Sequence, residues 1–236
     1  MAYVYQVSAE PKKRGFDFLS SLSVTLWLII IDVVVYFALI LNFPNQTIDI
    51  GGKAYQTFHP FIQENIAIGL ENISELRIWT FVTSMFMHGG IFHLFMNMIS
   101  LLFVGGLVEK LLGKKRYLYF YLLCGIAAGL FYIIAELFFP SGLVAVGASG
   151  ALFGLVGFLM LITPNLPVYV FFIPIPIKMK YAAPGLLIVL WLISIAADIP
   201  IGNTAHLGGL VAGLLYGVYV KKKYKRKAKA ISRYFS

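Results

Sequence analysis

Six stretches of the chain, at roughly 21 to 41, 91 to 108, 117 to 139, 147 to 163, 182 to 197 and 204 to 220, are apolar over lengths close to the one that spans bilayer hydrocarbon. A backbone in lipid has no water to satisfy its amides, so runs of this kind fold as helices and bury one another. The expected fold is an all-α membrane protein, a bundle of six transmembrane helices with a long first loop. Composition agrees: of 236 residues 60% are hydrophobic and 12% charged, and the mean hydropathy is +0.85. That is more apolar surface than one soluble core hides. The first run opens near Ser21 with no small-residue cleavage site behind it, and reads as a retained helix.

The formal charge of +9 is a matter of topology, since the basic residues lie between and beyond the apolar runs and form no nucleic-acid motif. With the N-terminus inside, the inner segments hold Lys12, Lys13, Arg14, Lys110, Lys114, Lys115, Arg116, Lys178, Lys180 and all eight basic residues from Lys221 to Arg233. Only Lys53 and Arg77 fall outside, with Asp49, Glu64, Glu71, Glu75, Glu136 and Asp198. Both termini are therefore expected in the cytoplasm, around a membrane domain from 21 to 220, with a segment 1 to 20 before it and a basic tail from 221 to 236 that suits anionic lipid. The connection from about 42 to 90 mixes Asn and Gly turn signals with Phe58, Phe61, Ile66 and Trp79, which predicts short interfacial helices. Leu166 to Ile177, broken by Pro167, Pro174 and Pro176, is too interrupted to cross and is expected along the inner surface. Cys124 is the single cysteine, inside an apolar stretch, and reads as packing.

Polar side chains at membrane depth are costly, so each is a functional candidate. Gly147-Ala148-Ser149-Gly150 opens the fourth run and puts a hydroxyl at a helix N-terminus, where free amides and the dipole favour negative charge. Taken alone, it reads first as an N-cap serine among small packing residues. His206 opens the sixth run, with Asn203 and Thr204 before it as expected caps and Gly209, Gly213 and Gly217 after it at four-residue spacing. The fourth run has Gly150, Gly154 and Gly157, so the two helices can approach until serine and imidazole meet. His93 and Asn97, four apart on one helical face, are both potential donors to an oxyanion. His88, separated from them by Gly89 and Gly90, is expected in the loop, ordering it. Metal binding or interfacial polarity are the other readings of these histidines.

These elements, in this order, resemble the rhomboid family of intramembrane serine proteases, over about Trp79 to Gly217. The resemblance implies a catalytic dyad of Ser149 and His206 without an acid, and oxyanion donors from His93, Asn97 and the Ser149 amide. It makes His88 structural, and Glu109-Lys110 with Gly113 a cap ending the second helix. The chain departs from the family in two places. Thr80 follows Trp79 where an arginine is common, the nearest being Arg77, and Phe153 stands where many members carry a tyrosine against the catalytic histidine. Asp32, alone in the first run, matches no family role and is expected to make a water- or helix-facing polar contact.

The function implied is an intramembrane serine endopeptidase acting on membrane-protein substrates, with lipid as its surroundings, no nucleic-acid partner, no cofactor and no metal, its site open to the outer side of the cell membrane. A rival is a catalytically dead relative that escorts membrane clients, though such proteins usually lack the serine or the histidine, and both are present. A transporter would spread polar residues along a path, whereas here they gather in the outer half. No His-Glu-x-x-His and no paired transmembrane aspartates are present for zinc or aspartyl mechanisms.

Overall fold

Every apolar run carries a helix in the computed structural model, which describes residues 22–50, 53–169, 175–197 and 202–235. Helix α1, Val24–Asn42, begins behind Ser23, whose hydroxyl accepts the Leu26 amide at 3.1 Å. The loop that follows holds an antiparallel pair, β1 (Gln46–Ile50) and β2 (Lys53–Thr57), then α2 (Pro60–Asn65), α3 (Leu70–Ser74) and α4 (Thr80–Thr83). Helix α5, Ile91–Ser100, runs through a π turn at Leu101–Gly105 into α6, Gly106–Leu112. Gly113, at φ 80°, turns the chain into α7, Lys114–Phe138. Then come α8 (Ser149–Ile162), the short pair β3 (Pro167–Val168) and β4 (Ile177–Lys178), α9 (Met179–Ala197), α10 (Asn203–Lys223) and α11 (Lys225–Tyr234).

Among the described residues, Val24–Asn42, Ile91–Leu112, Lys114–Phe138 and Met179–Ala196 are long and apolar enough to cross a membrane by length and composition. Helix α8 is apolar but has 14 residues, which cover only about 21 Å. Helix α10 has 21 residues and ends on Lys221, Lys222 and Lys223.

Several local expectations change. The first loop has short helices but also the β1–β2 pair, which the sequence reading did not anticipate. Asn203 and Thr204 do not cap α10: the N-cap is Gly202 and both lie in the first turn. The second helical run continues past 108 to Leu112, because the π turn absorbs the Gly105-Gly106 step without ending the helix. Helix α8 starts at Ser149 rather than 147, and α9 begins at Met179, with Pro184 near its start. Of the Leu166 to Ile177 stretch, the ends pair as β3 and β4, and 170–174 lie outside the described residues, as do 1–21 and Asp198.

Helix α8 is the centre of the bundle, buried along almost its whole length. Lipid tails are as apolar as leucine, so helix association here depends on close packing. A Cβ on Gly209 would collide with the Gly150 carbonyl, and one on Gly213 with the Gly154 carbonyl. On the opposite side α8 meets α7, with Gly150 against Ala128 and Gly154 against Cys124, so the lone cysteine is a packing residue. At the far end Glu109 of α6 caps α1, its carboxylate accepting the amides of Val24 (2.8 Å) and Thr25 (2.9 Å) and the Thr25 hydroxyl (2.7 Å).

Gly213→Ala tests the α8–α10 contact. The added methyl meets backbone rather than a movable side chain, so stability is expected to fall by about 1–3 kcal/mol, read as an earlier unfolding midpoint in detergent titrated with denaturant.

Candidate active site

Ser149 is the first residue of α8, and the turn in front of it is fastened to the long loop. Ile68 and Ala145 exchange both backbone hydrogen bonds (3.0 and 2.8 Å), and the Gly147 amide donates to the Ser84 carbonyl at 2.8 Å. Farther back, Glu136 accepts the amide and hydroxyl of Ser141 at 2.9 and 2.7 Å. Gly147 has φ 126°, a left-handed conformation that only glycine takes without strain. The serine is thus held from two sides, while the amides of the first turn of α8 point past it without helical partners.

His206 lies in the first turn of α10 and is buried. Its Nε2 is 2.8 Å from Ser149 Oγ. The Phe153 ring stacks on the imidazole with centroids 4.6 Å apart and planes at 22°. Phe153 is one turn beyond Ser149 on α8, so the same helix supplies the hydroxyl and the surface that orients the ring. Among the described residues His206 Nδ1 has no hydrogen-bond partner, and no carboxylate stands behind it.

His93 and Asn97, on α5, approach from the other side. A Cβ on Gly147 would lie 2.8 Å from His93 Cε1, 3.1 Å from its Nε2 and 3.7 Å from Ser149 Oγ, so the imidazole edge and the hydroxyl border one small space. The Gly89 amide donates to His93 Nδ1 at 3.2 Å. A neutral imidazole whose Nδ1 accepts carries its hydrogen on Nε2, and that edge faces Ser149. Asn97 is buried and gives one N–H to the His93 carbonyl at 2.8 Å, leaving its second for another acceptor. His88 is fully buried, with its ring edge on to His93 at 5.2 Å between centroids. Gly150 serves packing, against Ala128.

The long loop is braced by the residues that depart from the usual pattern. Arg77 donates to the Glu64 carbonyl at 2.8 Å and pairs with Glu75 at 2.6 Å, and buried Thr80 bonds the Arg77 carbonyl at 2.7 Å. Sequence reasoning missed Gly89 and Ser84, because both act through backbone atoms; the glycine pair before His93 was the available signal. A serine hydroxyl, a hydrogen-bonded imidazole and converging N–H donors form a set able to perform acyl transfer.

A family model described as Rhomboid domain matches residues 75–223. RHOMBOID-like protein 1 of Arabidopsis thaliana is 37% identical over 145 residues, 60% of this chain and 34% of the relative. Rhomboid protein 1, mitochondrial, of Saccharomyces cerevisiae is 31% identical over 172 residues, 65% of this chain and 46% of the relative. A relative named Inactive RHOMBOID-like protein 8, from Arabidopsis thaliana, is 38% identical over 81 residues, 34% of this chain and 22% of its own length. The chain thus spans a third to about a half of the length of the first curated relatives it matches.

Gly147→Ala is expected to lower stability by about 1–3 kcal/mol, since the backbone becomes strained and the methyl meets the His93 ring. Gly106→Ala, where nothing lies within 4 Å, is the control expected to lose nothing; thermal unfolding in detergent compares the two.

Proposed function

The chain belongs to the rhomboid family, and from that membership we propose that it is an intramembrane serine endopeptidase cleaving transmembrane-anchored proteins in or near the bilayer. The observation that carries the reading is the 2.8 Å contact between Ser149 Oγ and His206 Nε2. It joins the start of one apolar helix to the start of another, in a buried setting where an unused hydroxyl–imidazole pair has no structural purpose.

In the proposed mechanism a substrate segment unwinds at the outer end of the bundle and presents a carbonyl carbon to Ser149. His206, with its hydrogen on Nδ1, takes the hydroxyl proton at Nε2 as Oγ attacks. The oxyanion meets the Ser149 amide, the His93 Nε2–H and the free N–H of Asn97. Collapse of the tetrahedral intermediate breaks the C–N bond, and the leaving amine takes the proton back from His206. Water then attacks the acyl-enzyme with His206 again as base. Phe153 keeps the imidazole in plane with Oγ, the task a buried acid performs in other serine hydrolases.

The charge distribution supports an outward-opening site with both chain ends inside. Helix α10 carries His206 in its first turn and ends at Lys223, and the Arg116 guanidinium lies 5.9 Å over the Tyr224 ring, so the basic residues gather at the end opposite Ser149. The short α8 supports a serine below the outer surface, within reach of water. Six spans complete this topology.

Ser149→Ala and His206→Ala are each expected to abolish both cleavage of a model transmembrane substrate in detergent and labelling by a fluorophosphonate; cleavage retained by either removes the dyad. A folded wild-type chain that neither cleaves nor labels would favour the client-escorting reading. His93→Ala or Asn97→Ala should each lower kcat by about 10²- to 10³-fold, equivalent to roughly 3 to 4 kcal/mol. An unchanged rate takes that residue out of the oxyanion hole.

A further inference from the structure

Asp32 lies within α1 with no exposed surface, and among the described residues neither of its carboxyl oxygens has a hydrogen-bond partner. His88 is equally buried, with both ring nitrogens unpartnered and its Nδ1 4.0 Å from Asp32 Oδ1. Among the described residues the other buried carboxylates are caps: Glu109 holds the start of α1 and Glu136 holds Ser141. Asp32 caps nothing. Among the described residues, the titratable groups that face it are His88 and the buried Tyr121 of α7, and beyond His88 stands His93.

A lone carboxylate or a lone imidazolium in this setting would be an uncompensated charge. Facing one another, as carboxylate and imidazolium or as acid and imidazole, the two are neutral as a pair. The separation is within ion-pair range but longer than a direct hydrogen bond, so the interaction restrains the His88 ring without locking a helix end. The edge of that ring rests on His93, whose other contacts are Gly89 at Nδ1 and the space beside Ser149 at Nε2.

We infer that Asp32 is a positioning residue for the reaction: by facing His88 it fixes the ring against which His93 packs, and so aims the His93 N–H at the oxyanion. This rests on the proposed function and deepens it, assigning a task to a carboxyl group in the first membrane helix. Asp32 touches no reacting atom.

The test uses the full chain in detergent with a transmembrane substrate. Asp32→Leu, similar in size, removes the polar partner of His88, and is expected to lower kcat between about ten- and a hundredfold with KM little changed, as for a misaimed catalytic group. Asp32→Asn, which keeps a polar partner, is expected to recover most of that rate. In a His93→Ala background Asp32→Leu should cost little more, because its effect passes through His93. A wild-type rate for Asp32→Leu, or the same loss in both backgrounds, overturns the proposal. If Asp32→Leu does not fold, Asp32→Ser carries the same cycle. Nitrogen-15 resonances of the histidine rings give a readout that needs no turnover. In Ser149→Ala protein, Asp32→Leu is expected to move the His88 and His93 signals, and unmoved His93 signals again overturn it. Should Ser149→Ala still cleave substrate, the proposed function fails, while the ring signals still decide whether Asp32 positions His93.

Discussion

The backbone contact between α8 and α10 is the constraint on which the remaining geometry depends. Gly150 follows Ser149 directly, and Gly209 is one turn beyond His206, so the closest approach of the two helices falls within a turn of both side chains. A methyl at Gly209 would meet the Gly150 backbone and separate the helices, and a serine hydroxyl is too short to span a widened gap. In water, hydrophobic burial would press such helices together whatever their fit. In lipid there is no such force, and the fit itself must hold them. The small residues are therefore as much a part of the site as the polar ones.

A helix pair fixes the depth and separation of Ser149 and His206, but not the path of the chain in front of the serine. That path is set by the long loop. The Ile68–Ala145 bridge and the Ser84–Gly147 bond hold the turn, and the loop is in turn braced by Arg77, Thr80 and the Asn72 amide, which donates to the Gln63 and Ala67 carbonyls. Loops at membrane depth must satisfy their own amides. Here the bonds that do so also orient the site, which explains how a non-helical segment positions a residue as tightly as a helix does.

The apolar runs, the helical fold and the glycine spacing were legible because lipid imposes length and small-residue rules that a single sequence displays directly. Ser149, His206 and His93, which the fold brings to one place, stood out in the sequence because polar groups in such runs are few. The β1–β2 pair was not, although Gly51-Gly52 joins two short stretches; aromatic residues in the same loop pointed more strongly to helices at an interface. Helix ends were misread where backbone geometry decides them, as at Gly202 and at the π turn through Gly105. The isolated acid in α1 was conspicuous, but its partner lies far along the chain, and only the packed bundle brings Asp32 to His88.

Among the described residues, the carboxyl group that faces a ring beside the site stands on the side of His93, not of His206. A serine hydrolase in water places an acid behind the base, where it fixes the tautomer and balances the imidazolium that forms. In a bilayer such an acid would have to be buried as a charge next to a group that is neutral for most of the cycle, and the desolvation cost would run throughout. Stacking by Phe153 orients His206 with no charge at all. The proposed donor side has a different need: as an oxyanion donor His93 would have to present an N–H, and the Gly89 amide at Nδ1 favours that tautomer without charge. His88, packed behind it, has no hydrogen-bond partner at either nitrogen among the described residues, and faces Asp32. The pair is tolerated there because it is neutral as a whole, as acid and imidazole or as carboxylate and imidazolium, and because neither member has to change its protonation when the serine attacks.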